Sequence, residues 1–284
     1  MHKALRLTTL LMPVTAWLVL FSLIPLGVMA VYSFQGNLTG AVDGVFTLSN
    51  YQRFFSTTSF QMVLWRSALI ALVTAIISVV MAYPLAYYLT FYAGKSSVTL
   101  LTLLIAPAWT SELLRILAWK LLLRSNGAID YLFSLTGLIP PDSSLIQFGP
   151  VTVIITLVYT WIPFAAMPIF ASLGRMDPSL LEAASDLGEN PFRSFFRVTL
   201  PLSLPGVVAS FFYVFVPSLG EWVTPALVGG TSGIMFGNLI QDQFAKALNW
   251  PLGAAFSIIM LLLALVLTIM MTRFIGLSEL LEAG

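Results

Sequence analysis

The chain has 284 residues, of which 58% are hydrophobic and only 9% are charged, and its formal net charge is +1. Soluble domains carry roughly a quarter charged residues, so this composition excludes an ordinary water-soluble domain. The Lys and Arg residues are scattered, which argues against a nucleic-acid-binding face. The chain has no cysteine and a single histidine, His2, which excludes a disulfide framework and a Cys/His metal site.

Six apolar stretches follow one another along the chain. A membrane-spanning helix needs about 20 apolar residues, so residues 1–284 accommodate about six spans in a single domain. The stretches are Leu7–Phe34, Met62–Phe91, Val98–Leu123, Pro150–Leu173, Leu202–Leu219 and Leu252–Phe274. The first is longer than the roughly 7–15 residues of a signal-peptide core, so we expect an uncleaved span. We therefore predict an all-α integral membrane protein with about six transmembrane helices.

Five prolines fall inside these stretches, at positions 84, 107, 163, 168 and 217. Each removes a helix hydrogen bond, and lipid offers no replacement partner. They indicate either tolerated kinks or bent helices around a solute path, and the sequence leaves both open.

Lys and Arg residues predict the orientation in the membrane. With a cytoplasmic N-terminus, the inside segments hold more of these residues than the outside loops do. The inside set is Lys3, Arg6, Lys95, Arg175, Arg193, Arg197 and Arg273, and the outside set is Arg53, Arg66, Arg124 and Lys246. We expect both termini to be cytoplasmic.

The connection from about Gly174 to Pro201 is the longest charged, amphipathic segment on the predicted cytoplasmic side. Asp177 can cap a helix beginning at Pro178, and Gly188 supplies a stop. Asn190 and Pro191 then restart a second short helix. The apolar face of the first helix is predicted to contain Leu180, Leu181, Ala184 and Leu187.

This segment resembles the EAA loop of ABC importer permeases. The matching residues are Glu182-Ala183-Ala184, Gly188 and Val198-Thr199-Leu200-Pro201, with Val where the family has Ile. The resemblance implies a type I permease-like bundle in a bacterial inner membrane and a coupling helix over residues 178–201 that docks into an ATPase. It also implies a second permease subunit, two ATPase subunits that carry ATP-Mg and an extracytoplasmic substrate-binding protein. The alternative is an amphipathic helix lying on the lipid surface.

The resemblance covers essentially the whole chain and is specific enough to suggest a subfamily. The stretches at 177–188 and 217–222, Gly229-Gly230 and Asn249-Trp250-Pro251 look like the permeases of spermidine/putrescine importers. It implies a polyamine as the transported solute, although permeases for other small organic solutes share much of the pattern. No nucleotide-binding motif is present, so we expect no cofactor on this chain and ATP on a separate subunit.

Charged residues near the spans are candidates for the solute path. Glu112 is predicted in the outer half of the third span and Glu221 near the outer end of the fifth. Trp222 adjoins Glu221, so a carboxylate and an aromatic face together suit an organic cation. Tyr159 and Trp161 could line the same cavity. The alternatives are an ion pair of Glu112 with Arg115, a loop-surface role for Glu221, and aromatic residues in helix packing or interfacial belts.

Two other classes of membrane protein fit this sequence less well. An ion-coupled carrier would show buried Asp, Glu or His relays and internal repeats, and neither is clear. A membrane enzyme would need clustered acid-base or metal-binding residues, which the spans lack. We therefore expect no catalytic residues and no metal site.

Overall fold

The computed structural model describes residues 11–38, 41–136 and 147–274, and these residues are mainly helical. His2, Lys3, Arg6 and Leu7 lie outside the described residues, as does the predicted cytoplasmic C-terminus. Within the described ranges, five helices are long and apolar enough to cross a membrane, and a sharply bent pair raises the number to six. The prediction of about six spans is confirmed, with one span broken.

The spans are long helices whose large apolar side chains, such as Trp17, Val80 and Leu265, remain exposed. That exposure is expected of helices surrounded by lipid. In chain order the spans are Leu11–Ser33, Thr58–Phe91, the broken pair Gly94–Trp109 and Glu112–Leu135, Pro150–Leu173, Pro191–Leu219 and Trp250–Phe274. We call them the first to sixth spans. A short 3-10 turn, Gly94–Ser96, follows the second span.

The third span is not the continuous helix that the apolar stretch Val98–Leu123 predicted. Its two halves are bent by 85° at a break after Trp109. Thr110 has an extended backbone and Ser111 lies outside the helical region, so a new helix begins at Glu112. Pro107 lacks an N–H donor, which helps to end the first half. Glu112 therefore starts a helix, where a carboxylate is favoured by the helix dipole.

The fifth span begins earlier than Leu202, its predicted start. The helix that restarts at Pro191 continues to Leu219, so the predicted second short helix is the beginning of the span. A π-helical turn, Phe195–Thr199, lies just before Pro201. A widened turn relieves the crowding between a proline ring and the preceding turn, which allows the helix to pass Pro201.

The connections contain structure that the apolar pattern does not predict. Strands β1 (Gln35–Leu38) and β2 (Ala41–Phe46) form an antiparallel hairpin with a register irregularity between Gln35 and Asn37. Asn50 donates to the backbone oxygens of Ser33 and Gln35 and so ties the hairpin to the end of the first span. Short helices fill the other connections, at Ser49–Ser56, Val223–Val228 and Phe236–Ala245.

The described residues divide into two compact units, one within Met1–Met62 and Leu239–Leu263, the other within Val63–Asn238 and Ala264–Gly284. In the first unit, Phe256 packs edge-on against Phe54 and Phe60, with ring centroids 6.0 and 4.9 Å apart.

In the second unit, the fourth and fifth spans cross closely. A Cβ on Gly206 would lie 2.4 Å from the Ser172 Cβ and 2.6 Å from the Pro168 oxygen, so only glycine fits the crossing. The Ser210 hydroxyl donates to the Ala165 oxygen across the same interface.

Candidate functional site

A cavity of about 470 Å³ lies in the second unit, among the broken third span and the fourth and fifth spans. Small-molecule sites typically measure about 300–1,000 Å³. Its lining residues are Ala108, Thr110, Glu112, Arg115, Thr160, Trp161, Phe164, Tyr213, Pro217 and Glu221. The break in the third span places Thr110 and Glu112 at this cavity, so the feature that the sequence did not predict helps to form the site.

Glu221 lies just beyond the fifth span, and its carboxylate is hydrogen-bonded to backbone groups of the residues that follow it. Its Oε1 accepts hydrogen bonds from the backbone N–H groups of Val223 and Thr224, at 2.9 and 3.2 Å. Burial raises the pKa of this carboxyl, and the nearby charge of Glu112 adds to the rise, whereas the backbone hydrogen bonds oppose it. Glu221 is therefore a half-buried cap of the helix Val223–Val228 that also faces the cavity, rather than a loop-surface carboxylate.

Glu112 and Arg115 line the same cavity without pairing. Among the described residues, the ion pairs are Arg197–Glu189 and Lys246–Asp242, and neither involves Glu112 or Arg115. The Arg115 Nε and the Trp161 Nε1 are buried and have no hydrogen-bond partner. The ion pair that would explain Glu112 as a purely structural residue is not formed in this structure.

Three aromatic rings line one wall. Tyr213 lies 6.3 Å from Trp161 and 6.1 Å from Phe164, and the rings of Trp161 and Phe164 are 5.7 Å apart. Aromatic faces within about 6 Å of an ammonium group attract it. The cavity thus combines two carboxylates with a cluster of aromatic faces.

The structure brings together three of the five residues that the sequence predicts for the solute path: Glu112, Trp161 and Glu221. Tyr159 does not line the cavity and packs edge-on against Trp119, with centroids 5.2 Å apart. Trp222 also lies outside the lining, and its backbone oxygen accepts a 2.7 Å hydrogen bond from the Asn238 side chain.

Sequence reasoning missed Tyr213 as a lining residue and left Pro217 open between a tolerated kink and a bent helix at the solute path. Tyr213 and Pro217 are four positions apart on one face of the fifth span, which ends just before Glu221, and this spacing could have identified them. Pro217 also removes the usual hydrogen-bond donor for the Tyr213 carbonyl. The freed carbonyl thus belongs to a cavity residue, which favours the solute-path interpretation of this proline.

The connection after the fifth span holds Glu221 in place. A Cβ on Gly237 would lie 2.6 Å from the Glu221 backbone oxygen, so these two backbone segments are in close contact. Phe236 donates its N–H to Ser67 on the second span, and Arg66 donates to the Ile234 oxygen. The backbone at Glu221 is therefore packed against residues 234–237, which are hydrogen-bonded to the second span.

The EAA segment forms a short surface helix, Ser179–Asp186, one residue later than predicted. Asp177 accepts a hydrogen bond from the Ser179 N–H at 3.0 Å, and this bond lowers the pKa of the exposed carboxyl. Gly188 has a φ of +80°, which confirms the predicted stop.

Local hydrogen bonds complete the turn after this helix. The N–H groups of Gly188 and Glu189 donate to the oxygens of Ser185 and Ala184, at 2.9 and 3.0 Å. These two bonds form a Schellman motif. Asn190 then caps the next helix by accepting from the Arg193 N–H at 2.8 Å, so the predicted restart is confirmed.

The surface helix leaves much of its apolar face open. Ala184 is buried, but Leu180 is exposed, Leu187 directly after the helix is 86% exposed, and Phe192 in the next helix is 73% exposed. Among the residues matched to the EAA pattern, Glu182, Ala183, Gly188 and Pro201 are exposed and Leu200 is half-buried. Apolar side chains so exposed on a charged segment suit a contact with another protein.

Comparisons with known proteins agree on the family. The sequence profile described as "Binding-protein-dependent transport system inner membrane component" matches residues 5–276. The chain is 35% identical over 251 residues to the spermidine/putrescine transport system permease protein PotB of Escherichia coli K12, covering 88% of this chain and 90% of that protein. It is 32% identical over 242 residues to the inner membrane ABC transporter permease protein YdcU of the same organism, covering 82% and 77%.

Solved structures share the fold. A chain of a bacterial ABC transporter that imports the acidic polysaccharide alginate matches with a TM-score of 0.72 and 15% identity, over 97% of this chain and 96% of that one. A chain of the MetNI methionine ABC transporter matches with a TM-score of 0.56 over 76% of this chain and 94% of that one. The chain belongs to the family of binding-protein-dependent transport system inner membrane components, and it is a permease subunit of an ABC importer.

Proposed function

We propose that this permease imports a small organic cation, namely a polyamine such as spermidine or putrescine. The observation that carries the proposal is the cavity, in which Glu112 and Glu221 lie with Trp161, Phe164 and Tyr213. Carboxylates and aromatic faces both favour ammonium groups. The names of relatives such as PotB support the same solute class.

Replacing Glu221 with Gln should lower polyamine uptake by about ten- to a hundredfold. A hydrogen bond to a charged group contributes about 1.5–3 kcal/mol, and Gln keeps the oxygen that caps Val223–Val228. Glu112→Gln should act in the same direction. The measurement is uptake of labelled putrescine and spermidine by vesicles that contain the whole transporter and its binding protein.

The matched control is Asp242→Asn, which removes a carboxylate from a partly exposed ion pair with Lys246, outside the cavity. Exposed ion pairs contribute little to the stability of a protein, so polyamine uptake by this variant should stay near that of the wild type. Basal ATP hydrolysis should persist in all three variants. Unchanged polyamine uptake in Glu221→Gln and Glu112→Gln, alone and together, would contradict the cation site, as would specific uptake of a neutral or anionic solute.

The proposed assembly pairs this chain, as one permease domain, with a second permease subunit, two ATPase subunits and an extracytoplasmic binding protein. ATP-Mg would be bound by the ATPases alone. The surface helix Ser179–Asp186, with exposed Leu180 and Glu182 and with exposed Leu187 directly after it, would fit a cleft of one ATPase. Closure of the ATPase pair would then bias the spans between inward-open and outward-open states.

The proposed orientation places Ser185 in the cytoplasm and Ser125 outside, since Lys and Arg favour the inner side. Both residues are exposed and the chain has no native cysteine. In intact cells, an impermeant thiol reagent should therefore label Ser125→Cys and spare Ser185→Cys until the membrane is opened. The reverse pattern would invert the proposed topology.

A further inference from the structure

Arg115 is a cation inside a cavity proposed to bind cations. It lines the cavity together with Glu112 and Glu221, and these three are the charged residues of the lining. Among the described residues it forms no ion pair, and its Nε is buried without a hydrogen-bond partner. A half-buried guanidinium without a partner is unfavourable, so a role in the cavity is expected of it.

Both carboxylates are suitable partners for this guanidinium. Glu112 lies three residues before Arg115 in the same helix, a spacing at which side chains are neighbours and can pair after a rotamer change. Glu221 lines the same cavity from the end of the fifth span, and its pKa responds to the charge of Glu112, so the two carboxylates are close enough to repel each other. A positive charge between them would relieve that repulsion.

We propose that Arg115 is a counter-ion of Glu112 and Glu221 in the solute cavity: its guanidinium, unpaired in this structure, turns to one of these carboxylates by a rotamer change and competes for them with the ammonium groups of the incoming solute. The inference rests on the proposed import of an organic cation and names a residue that sets how tightly the cavity holds it. Arg115 competes with the solute for the same carboxylates, so it weakens binding and promotes release. A solute with two or more positive charges displaces it more effectively than a monocation does.

The test is equilibrium binding of labelled putrescine to the complete transporter in mild detergent, without its binding protein. Removing the competitor should strengthen binding, so Arg115→Gln should bind putrescine at least tenfold more tightly than wild type. Arg115→Lys keeps a positive charge and should stay within about threefold of wild type, because one unit charge replaces another. The control is Lys120→Gln, which removes a cation from the same helix but not from the cavity lining and should leave binding unchanged.

A gain in affinity distinguishes competition from a structural role, because a damaged cavity would bind more weakly. If Arg115→Gln bound putrescine as tightly as wild type, more weakly, or not detectably, the proposal that Arg115 is a counter-ion would be wrong. Polyamine uptake by the wild-type transporter with its binding protein is measured in parallel. Uptake with no affinity gain in Arg115→Gln would reject this inference alone, whereas absence of polyamine uptake would reject the proposed function.

Discussion

Replacing Gly188 with Val should lower solute uptake at least about tenfold while the spans remain folded. Gly188 has a φ of +80°, and left-handed backbone costs an ordinary residue roughly 1–2 kcal/mol and a β-branched residue more. The chain would leave this conformation and lose the bonds from Gly188 and Glu189 that end the surface helix. Because about 1.4 kcal/mol corresponds to a factor of ten, we expect uptake and ATPase copurification to fall at least about tenfold.

A matched control separates docking from general backbone strain. Gly94 also has a positive φ, +50°, and a Cβ at either glycine would meet no atom within 4 Å, so both substitutions act through the backbone alone. Gly94→Val should therefore strain the turn after the second span without loss of ATPase copurification. Glu182→Lys, which reverses an exposed charge on the surface helix, should weaken docking without straining the backbone. Wild-type copurification and stimulated ATP hydrolysis in both Gly188→Val and Glu182→Lys would refute the coupling assignment.

Replacing Gly206 with Leu should prevent the fourth and fifth spans from packing. Even the first added carbon would lie 2.4 Å from the Ser172 Cβ and 2.6 Å from the Pro168 oxygen, and the latter is backbone that cannot rotate away. Overpacking typically costs about 1–3 kcal/mol, and a helix crossing that must open should cost more. We expect little folded transporter after detergent extraction, with Gly206→Ala giving a partial loss in thermal unfolding of the complex.

The control for this prediction is Gly27→Ala in the first span, where an added Cβ meets nothing within 4 Å. Its unfolding temperature should match that of the wild type. If Gly206→Leu were as stable as Gly27→Ala, the close crossing of the fourth and fifth spans would be wrong. If both variants lost stability equally, the effect would reflect the replacement of any helical glycine rather than this contact.

Local signals made the structure of the EAA segment predictable from sequence. Gly188 ends one helix, and Asn190 and Pro191 begin the next through hydrogen bonds between residues at most five positions apart. Such bonds depend on residue type and spacing, which the sequence shows directly. Apolar length likewise predicted the spans, because a helix that crosses lipid needs about 20 apolar residues whatever its neighbours are.

The break in the third span and the make-up of the cavity were decided by tertiary structure. The stretch Val98–Leu123 is apolar on both sides of the polar residues Thr110, Ser111 and Glu112, and three polar residues within an apolar stretch do not by themselves predict that the chain bends there by 85°. Glu112 and Glu221 are more than a hundred positions apart in the sequence, and they share a cavity because the third and fifth spans bring their ends together.

By itself the sequence determined the family, the number of spans and the form of the EAA segment, since each depends on composition or on neighbours along the chain. Only the tertiary structure decided which aromatic residues face the carboxylates, placing Tyr213 at the cavity and Tyr159 and Trp222 outside its lining. Several helix faces carry suitable aromatic side chains, and packing between distant helices selects the face that lines a cavity.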